Sequence, residues 1–294
     1  MIEVQNLKKT YNNGTVALNN INLKINKGEI VGVIGRNGAG KSTLFKIICG
    51  LITDYSGESK VFSHKSSIEF ADRVSYLPEV RGLDTRMYVL EHIVDLLLYK
   101  GLNKKQAENN VIKWLKEFQL YNYRYNKISD LSKGNQQKLQ LIVAIASEPE
   151  ILILDEPFSG LDLITIDLFW DVITNLRDNG CTILFSTHDL NDNLNKCNSF
   201  IFLNHGELRE KGTLQEIQDH FEMVLEIKNK SLNLKAIENI VQATNVKEMQ
   251  QEYYIRIKNE NIAREIFESL DDKYCEKFYV RKLSLQEIFR EVCR

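Results

Sequence analysis

The sequence predicts an α/β core followed by a smaller α+β module, and three observations carry that prediction. A β-branched run from Glu29 to Ile34 leads through a glycine-rich turn into apolar residues at helical spacing from Ser42 to Ile48. Two short apolar runs, Ile151 to Leu154 and Thr182 to Phe185, flank a helix-like stretch around Ile164 to Arg177, the β-α-β grammar of a parallel sheet. Past Gly212 the order becomes β-α-β-β-α-β, the split arrangement of ferredoxin-like modules.

Each element has its own reason. Ile21 to Ile25 alternates as Ile-Asn-Leu-Lys-Ile, which fits a half-buried strand. Tyr88 to Tyr99 and Gln106 to Phe118 repeat apolar residues at helical spacing, with no strong strand pattern before the 130s, so a helical subdomain is expected at about 84–140. Gln136 to Ala146 is an amphipathic helix leading toward Ile151. In the C-terminal part, Phe221 to Ile227 reads as a strand and Leu234 to Val241 as a helix. Val246 to Met249 and Tyr253 to Ile257 read as a strand pair, Ile262 to Leu270 as a helix and Tyr274 to Val280 as a strand. A last helix is expected from Ser284, because Ser284 and Glu287 have capping-box spacing before Ile288 and Phe289. The expected domains are 1–214 and 215–294.

Composition narrows the function. The chain has 294 residues, 43% hydrophobic and 27% charged, which excludes disordered, collagen-like and coiled-coil classes. Lys and Arg number 38 against 40 Asp and Glu, so there is no global positive field to gather nucleic acid or anionic lipid. The longest apolar stretches, such as Leu139 to Ala146, fall short of the roughly 20 residues that cross a bilayer. The residues from Met1 to Lys9 lack a secretory apolar core, which predicts a cytosolic location. The five cysteines are scattered without metal-ligand spacing and are expected to be reduced and buried.

Two motifs carry chemistry. Gly35-Arg-Asn-Gly-Ala-Gly40-Lys41-Ser42 matches G-x-x-x-x-G-K-[ST] between a predicted strand and a predicted helix. Such a loop turns successive N–H groups, and the positive end of the following helix, toward phosphate oxygens. Lys41 then holds the β and γ phosphates, and the Ser42 hydroxyl ligates Mg²⁺. Ile151 to Leu154 ends in Asp155 and Glu156, two carboxylates that are costly at the end of an apolar strand unless something compensates them. A metal at Asp155 and an attacking water at Glu156 do so. A bland glycine turn and an acidic strand-end turn are the alternatives to each motif alone; together the two favour nucleotide chemistry.

Two further segments complete a pattern: Leu131-Ser132-Lys133-Gly134-Asn135 before a helix, and Ser186-Thr187-His188-Asp189 after a strand. Over about residues 1–215 the four motifs, in order and spacing, resemble the ATP-binding cassette (ABC) ATPases, a P-loop NTPase fold in which a parallel sheet is joined by antiparallel β and helical subdomains. The resemblance implies an ATPase working as a head-to-tail homodimer or heterodimer. Each ATP would lie between the phosphate loop of one subunit and Ser132 and Gly134 of the other. It implies further that Tyr11 stacks on adenine, the alternative being an edge-strand tyrosine. The phosphates would be held by Gly35, Asn37, Gly38, Ala39, Gly40, Lys41, Ser42 and Thr43. Mg²⁺ would be held by Ser42, Asp155 and Glu79, and Glu156, His188 and Lys41 would be catalytic. Ser159-Gly160-Leu161-Asp162 matches the loop that crosses to the second subunit.

The sequence departs from the usual Leu-Ser-Gly-Gly-Gln at Lys133 and Asn135, and it has Glu79 where the family places glutamine. A carboxylate is also a hard ligand for Mg²⁺, so Glu79 is able to substitute, the alternative being a solvated loop glutamate. Tyr76-Leu-Pro-Glu79 followed by Arg81-Gly82-Leu83 is similar to a variant in bacterial exporter ATPase subunits, a subgroup that also carries a C-terminal extension of this size. The expected protein is thus the ATP-hydrolysing subunit of a bacterial exporter, held at the inner face of the cell membrane by a separate integral membrane subunit that docks near Glu79 to Tyr88. A soluble ABC ATPase of translation or cofactor assembly is the alternative, and a module that binds ATP without turnover is a third. No nucleic-acid partner is expected, although Tyr121 to Tyr125 interleaves aromatics with Arg124, and Cys49 is read as buried rather than reactive.

Overall fold

Strand β3 (Ile30–Ile34) is buried along its whole length, which is why it shows no polar alternation. It lies inside a six-stranded sheet with β6 (Val74–Leu77), β7 (Ile151–Leu154), β8 (Thr182–Thr187), β9 (Ser199–Asn204) and β10 (Glu207–Gly212), in the order β10-β9-β3-β8-β7-β6. The computed structural model describes residues 1–79, 82–158, 160–188, 190, 192–229, 237, 246–249, 252–270 and 275–293. The chain divides into two units, Met1–Lys211 and Gly212–Val292.

Within the first unit, β3, β6, β7, β8 and β9 run parallel, with Leu77 beside Leu154, Leu154 beside Phe185 and Phe185 beside Gly32. The residues that follow β3, β6, β7 and β8 therefore emerge along one edge of the sheet, the place where open parallel sheets bind ligands. A second, antiparallel sheet has the order β2-β1-β4-β5, formed by β1 (Ile2–Thr10), β2 (Val16–Ile25), β4 (Ser56–Val61) and β5 (His64–Lys65). Helix α1 (Lys41–Ile48) packs Leu44, Phe45, Ile47 and Ile48 into the core that these strands share.

Helices α2 (Val89–Tyr99), α3 (Lys104–Glu117) and α4 (Lys133–Ile145) form the helical part. Asn103 and Gln106 close a capping box on α3, and Ser132 accepts from the Asn135 N–H to cap α4. Asp162 caps α5 (Leu163–Asp178) by accepting from the Thr165 N–H at 2.8 Å. On the buried side of α5, Trp170 stacks on Phe158 at 5.2 Å and meets Phe185 edge-on at 5.3 Å.

The second unit holds an antiparallel sheet of β11 (Met223–Asn229), β12 (Val246–Met249), β13 (Glu252–Ile257) and β14 (Cys275–Arg281), in the order β12-β13-β11-β14. The first strand is thus central, as the split β-α-β-β-α-β reading requires. Helix α7 (Glu260–Glu268) buries Ala263 and Ile266 against Leu225, Ile227, Ile255 and Ile257. The helix expected at Leu234 to Val241 lies outside the described residues except for Ile237, which joins that core; Tyr274, the expected start of the last strand, lies outside them too. Ser284 and Glu287 form the expected reciprocal cap of α8 (Leu285–Val292), with Glu287 N–H donating to Ser284 Oγ at 3.3 Å and Ser284 N–H to Glu287 Oε2 at 2.9 Å.

Some elements differ from the sequence reading. β2 starts at Val16 rather than Ile21, because Asn20, at φ 57°, interrupts the alternation without ending the strand. β11 starts at Met223 rather than Phe221, since Phe221 still donates to Gln218 in the turn that closes α6 (Leu214–Gln218). Among the described residues no helix is long and apolar enough to cross a membrane.

Trp170 is fully buried and its indole N–H has no hydrogen-bond partner among the described residues. Trp170→Ala is expected to lower the stability of the first unit by about 3–5 kcal/mol. Trp170→Phe should cost much less, because it also removes the orphaned donor. Urea unfolding of the two variants, followed by circular dichroism, checks the difference.

Candidate functional site

The phosphate loop begins where β3 ends and finishes at Gly40, the N-cap of α1. Gly40 sits at φ 103°, and a Cβ there would lie 2.5 Å from the Ala17 carbonyl oxygen; a Cβ at Gly35 would lie 2.5 Å from the Leu203 carbonyl oxygen. Sterics require glycine at both positions, and at Gly40 the left-handed backbone requires it as well. No acidic side chain occupies the first turn of α1, so its positive end is left for an anion.

Most of the residues named from the sequence meet around one cavity of about 440 Å³. Its wall includes Tyr11, Asn37, Gly38, Ala39, Gly40, Lys41, Ser42, Thr43, Glu79, Asp155 and Glu156. Gly35 is behind the wall, where its carbonyl accepts from Lys41 Nζ at 2.7 Å. Lys41 is buried, and its ammonium faces Glu156 Oε1 at 3.3 Å. That oxygen has no hydrogen-bond partner among the described residues, so the pair is held by charge and not by an aligned bond. Glu156 Oε2 lies 2.9 Å from His188 Nδ1. The imidazole thus reaches the cavity through Glu156, and Glu156 itself is held at φ 50°, a left-handed conformation that is costly for a glutamate.

Asp155 is 2% exposed, and both its carboxylate oxygens are occupied. Ser186 Oγ donates to Oδ1 at 2.6 Å and Tyr76 OH to Oδ2 at 3.2 Å. Ser186 Oγ also accepts from the Glu156 N–H at 2.8 Å, so one hydroxyl fixes both acidic residues. Burial and the neighbouring Asp155 carboxylate push the Tyr76 phenol up, which keeps it a proton donor. Neither Ser186 nor Tyr76 was assigned this part from the sequence. The signal was only that each occupies a strand beside β7, which becomes useful once strand order is known.

Tyr11 is 38% exposed; its hydroxyl lies 3.1 Å from Thr43 Oγ1, and Lys9 Nζ sits 5.0 Å from the ring centroid. Glu79 is exposed at the cavity wall. Ser132 and Gly134 are not on this cavity; they stand at the N-terminus of α4. Ser159, Asp189, Val80 and Arg81 lie outside the described residues. Arg124 stacks on the rings of Tyr121 at 4.1 Å and Tyr125 at 4.4 Å. Cys49 is buried, and its thiol is pushed up to about 12 by that burial, so it is not a reactive thiolate.

A glycine loop at a helix start, a buried lysine, and an aspartate and glutamate at the end of β7 define a nucleotide-hydrolysing P-loop site. Residues 18–159 match the model of the ABC transporter family, and residues 212–293 match the C-terminal domain of DrrA1-3-like ATP-binding proteins. The chain is 34% identical to the ABC transporter ATP-binding protein YhaQ of Bacillus subtilis, over 99% of this chain and 98% of that one. It is 29% identical to the lipopolysaccharide export system ATP-binding protein LptB of Haemophilus influenzae, over 74% of this chain and 93% of that one. Among solved structures it resembles a dimeric post-hydrolysis state of the ATP-binding cassette MJ0796 bound to ADP and Pi. The TM-score is 0.67 and the identity 27%, over 73% of this chain and 99% of that one. The protein belongs to the ATP-binding proteins of ABC transporters and is an ATPase.

Ser186→Ala would leave the Glu156 N–H without its acceptor and Asp155 without one donor, all in a buried setting. A loss of about 1–3 kcal/mol is expected. ATPase activity should fall with it, and parallel urea unfolding and phosphate release measure both.

Proposed function

We propose that this chain is the ATP-hydrolysing subunit of an exporter-type bacterial ABC transporter, at the inner face of the cell membrane, where it energises a separate transmembrane subunit by ATP-driven dimerisation. The observation that carries the reading is the contact chain from Lys41 through Glu156 to His188 at the mouth of the phosphate loop. In it Lys41 exchanges Glu156 for the β and γ phosphates, Glu156 takes the proton of the attacking water, and His188 orients Glu156 and meets the γ phosphate. The loop from Gly35 to Thr43 supplies backbone donors, and Tyr11 stacks on adenine, anchored through Thr43.

The donor set beside the loop is all hard oxygen: the buried Asp155 carboxylate, the Ser42 hydroxyl and the Glu79 carboxylate. That set fits Mg²⁺. Bound there, Mg²⁺ would neutralise charge developing on the phosphates. Ser186 and Tyr76 hold Asp155 in place for it.

Dimerisation is supported by Gly134. A Cβ at Gly134 would meet nothing within 4 Å among the described residues, so the turn at Gly134 is open to the approach of a second subunit. We assign Ser132 and Gly134 to the γ phosphate of a second subunit. The direction of transport is supported by Glu79 in the glutamine position, by the C-terminal match and by the likeness to an export system protein. Residues 1–214 form the nucleotide-binding domain on this reading, and 215–294 are an accessory domain that tunes the dimer.

Lys41→Ala should abolish phosphate release and weaken ATP binding; wild-type turnover would remove Lys41 from the site. Glu156→Gln should bind ATP with Mg²⁺, leave it uncleaved and elute as a dimer on size exclusion. Adding Ser132→Arg should return it to a monomer that still binds ATP. A double variant that dimerises as readily as Glu156→Gln would contradict the cross-subunit role. Copurification with a membrane protein from detergent separates the transporter subunit from a soluble ABC ATPase.

A further inference from the structure

Away from the nucleotide cavity a half-buried lysine sits at a junction of four elements. Lys100 is the C-cap of α2. Its ammonium donates to Ser75 Oγ, at the second residue of β6, and to Ser147 Oγ at 3.3 Å, two residues past the end of α4. Cys49, at the end of α1, is the titratable group that faces it, as a neutral thiol. Among the described residues no carboxylate forms an ion pair with Lys100. Burial pulls the amine down to about 8.

An ammonium partly withdrawn from water without a counter-ion weakens the fold. Ser75 and Ser147 already lie 3.2 Å apart, close enough to satisfy each other. The elements it joins lead elsewhere to the chemistry. β6 continues through Tyr76, the donor to Asp155, to Glu79 at the cavity wall. α4 begins at Ser132, and its 13 residues at 1.5 Å per residue put that serine about 20 Å from the junction. A tilt of about 5° at one end of such a lever moves the other by about 2 Å, and misplacement of about 1 Å is able to cost a hundredfold in rate.

We propose that Lys100, through Ser75 and Ser147, is a positioning residue for ATP hydrolysis: it fixes the angle between the α4 lever and strand β6, and so sets where Ser132 stands relative to Glu79 and Asp155. The proposal rests on the assignment of Ser132 to a second subunit's phosphate. It accounts for a destabilising charge kept outside the site, because the charge holds two serines from different elements in one geometry that a serine pair alone leaves loose.

Stability and turnover then move in opposite directions. Lys100→Met removes the half-buried charge and leaves the serines paired with each other, so the melting temperature at pH 7 should rise by about 3 °C. The amine's folded value lies below its unfolded one, so its cost is present below about pH 8 and fades as pH rises toward 10.5; the gap between variant and wild type should close over that range. The variant's kcat should fall about tenfold with KM for ATP unchanged. Lys100→Arg, which keeps the charge and the donors, should retain kcat within about twofold. Thermal melts and steady-state phosphate release on the full chain decide it. A Lys100→Met variant that melts lower and turns over more slowly would make Lys100 merely structural, and one with unchanged kcat would remove it from the reaction; either overturns the proposal. Loss of the Ser132 assignment shows separately, as dimerisation that survives Ser132→Arg.

Discussion

A positive charge buried at the mouth of the phosphate loop is the constraint on which the site depends. Lys41 is 6% exposed and lies between the Gly35 carbonyl and the Glu156 carboxylate. An ammonium taken out of water needs a partner. Here the partner is the Glu156 carboxylate, and Glu156 is in turn held by His188 and by Ser186. On the proposed reading phosphate enters by exchange: it would replace Glu156 on Lys41, and the carboxylate would be released toward water when a substrate is present. The strained φ of Glu156 fits a residue whose position is imposed by neighbours and not by its own backbone preference.

Parallel pairing makes that exchange possible. Because β3, β6, β7 and β8 run in one direction with adjacent registers, the phosphate loop, Glu79, Asp155, Glu156 and His188 all leave the sheet at the same edge, although they are spread over more than 150 residues of sequence. The hydroxyls of Ser186 and Tyr76 then lock the central carboxylate between neighbouring strands. Local glycine sterics shape the loop, long-range register assembles the carboxylates, and a hydroxyl lattice fixes their angles.

The division between what was legible in the sequence and what was not follows the same split. The phosphate loop was legible because glycine, lysine and serine spacing is local, and the strand ending in Asp155-Glu156 because buried parallel strands are continuous apolar runs. The second unit was legible in its order of strands, since each strand alternates or ends at a clear turn. Ser186 and Tyr76 were not, because their value depends on which strands are neighbours. β1 was missed and β2 shortened because Asn6 and Asn20, both at positive φ, shift the register and break the period of two on which a strand reading relies. Glu226 was also invisible: it reads as the outward position of a strand, yet it is 8% exposed and held by Lys277 at 2.7 Å and Arg281 at 2.6 Å from the adjacent strand.

The exchange at Lys41 is tested most directly by the affinity of a non-hydrolysable ATP analogue for the wild type and for Glu156→Gln, measured by calorimetry at one pH and salt concentration. If Glu156 competes with the γ phosphate for Lys41, removing its charge frees the ammonium and relieves repulsion, and the analogue should bind about tenfold tighter, a gain of about 1.4 kcal/mol. Equal or weaker binding by the variant would contradict the account, because Glu156 would then not be the group that phosphate displaces.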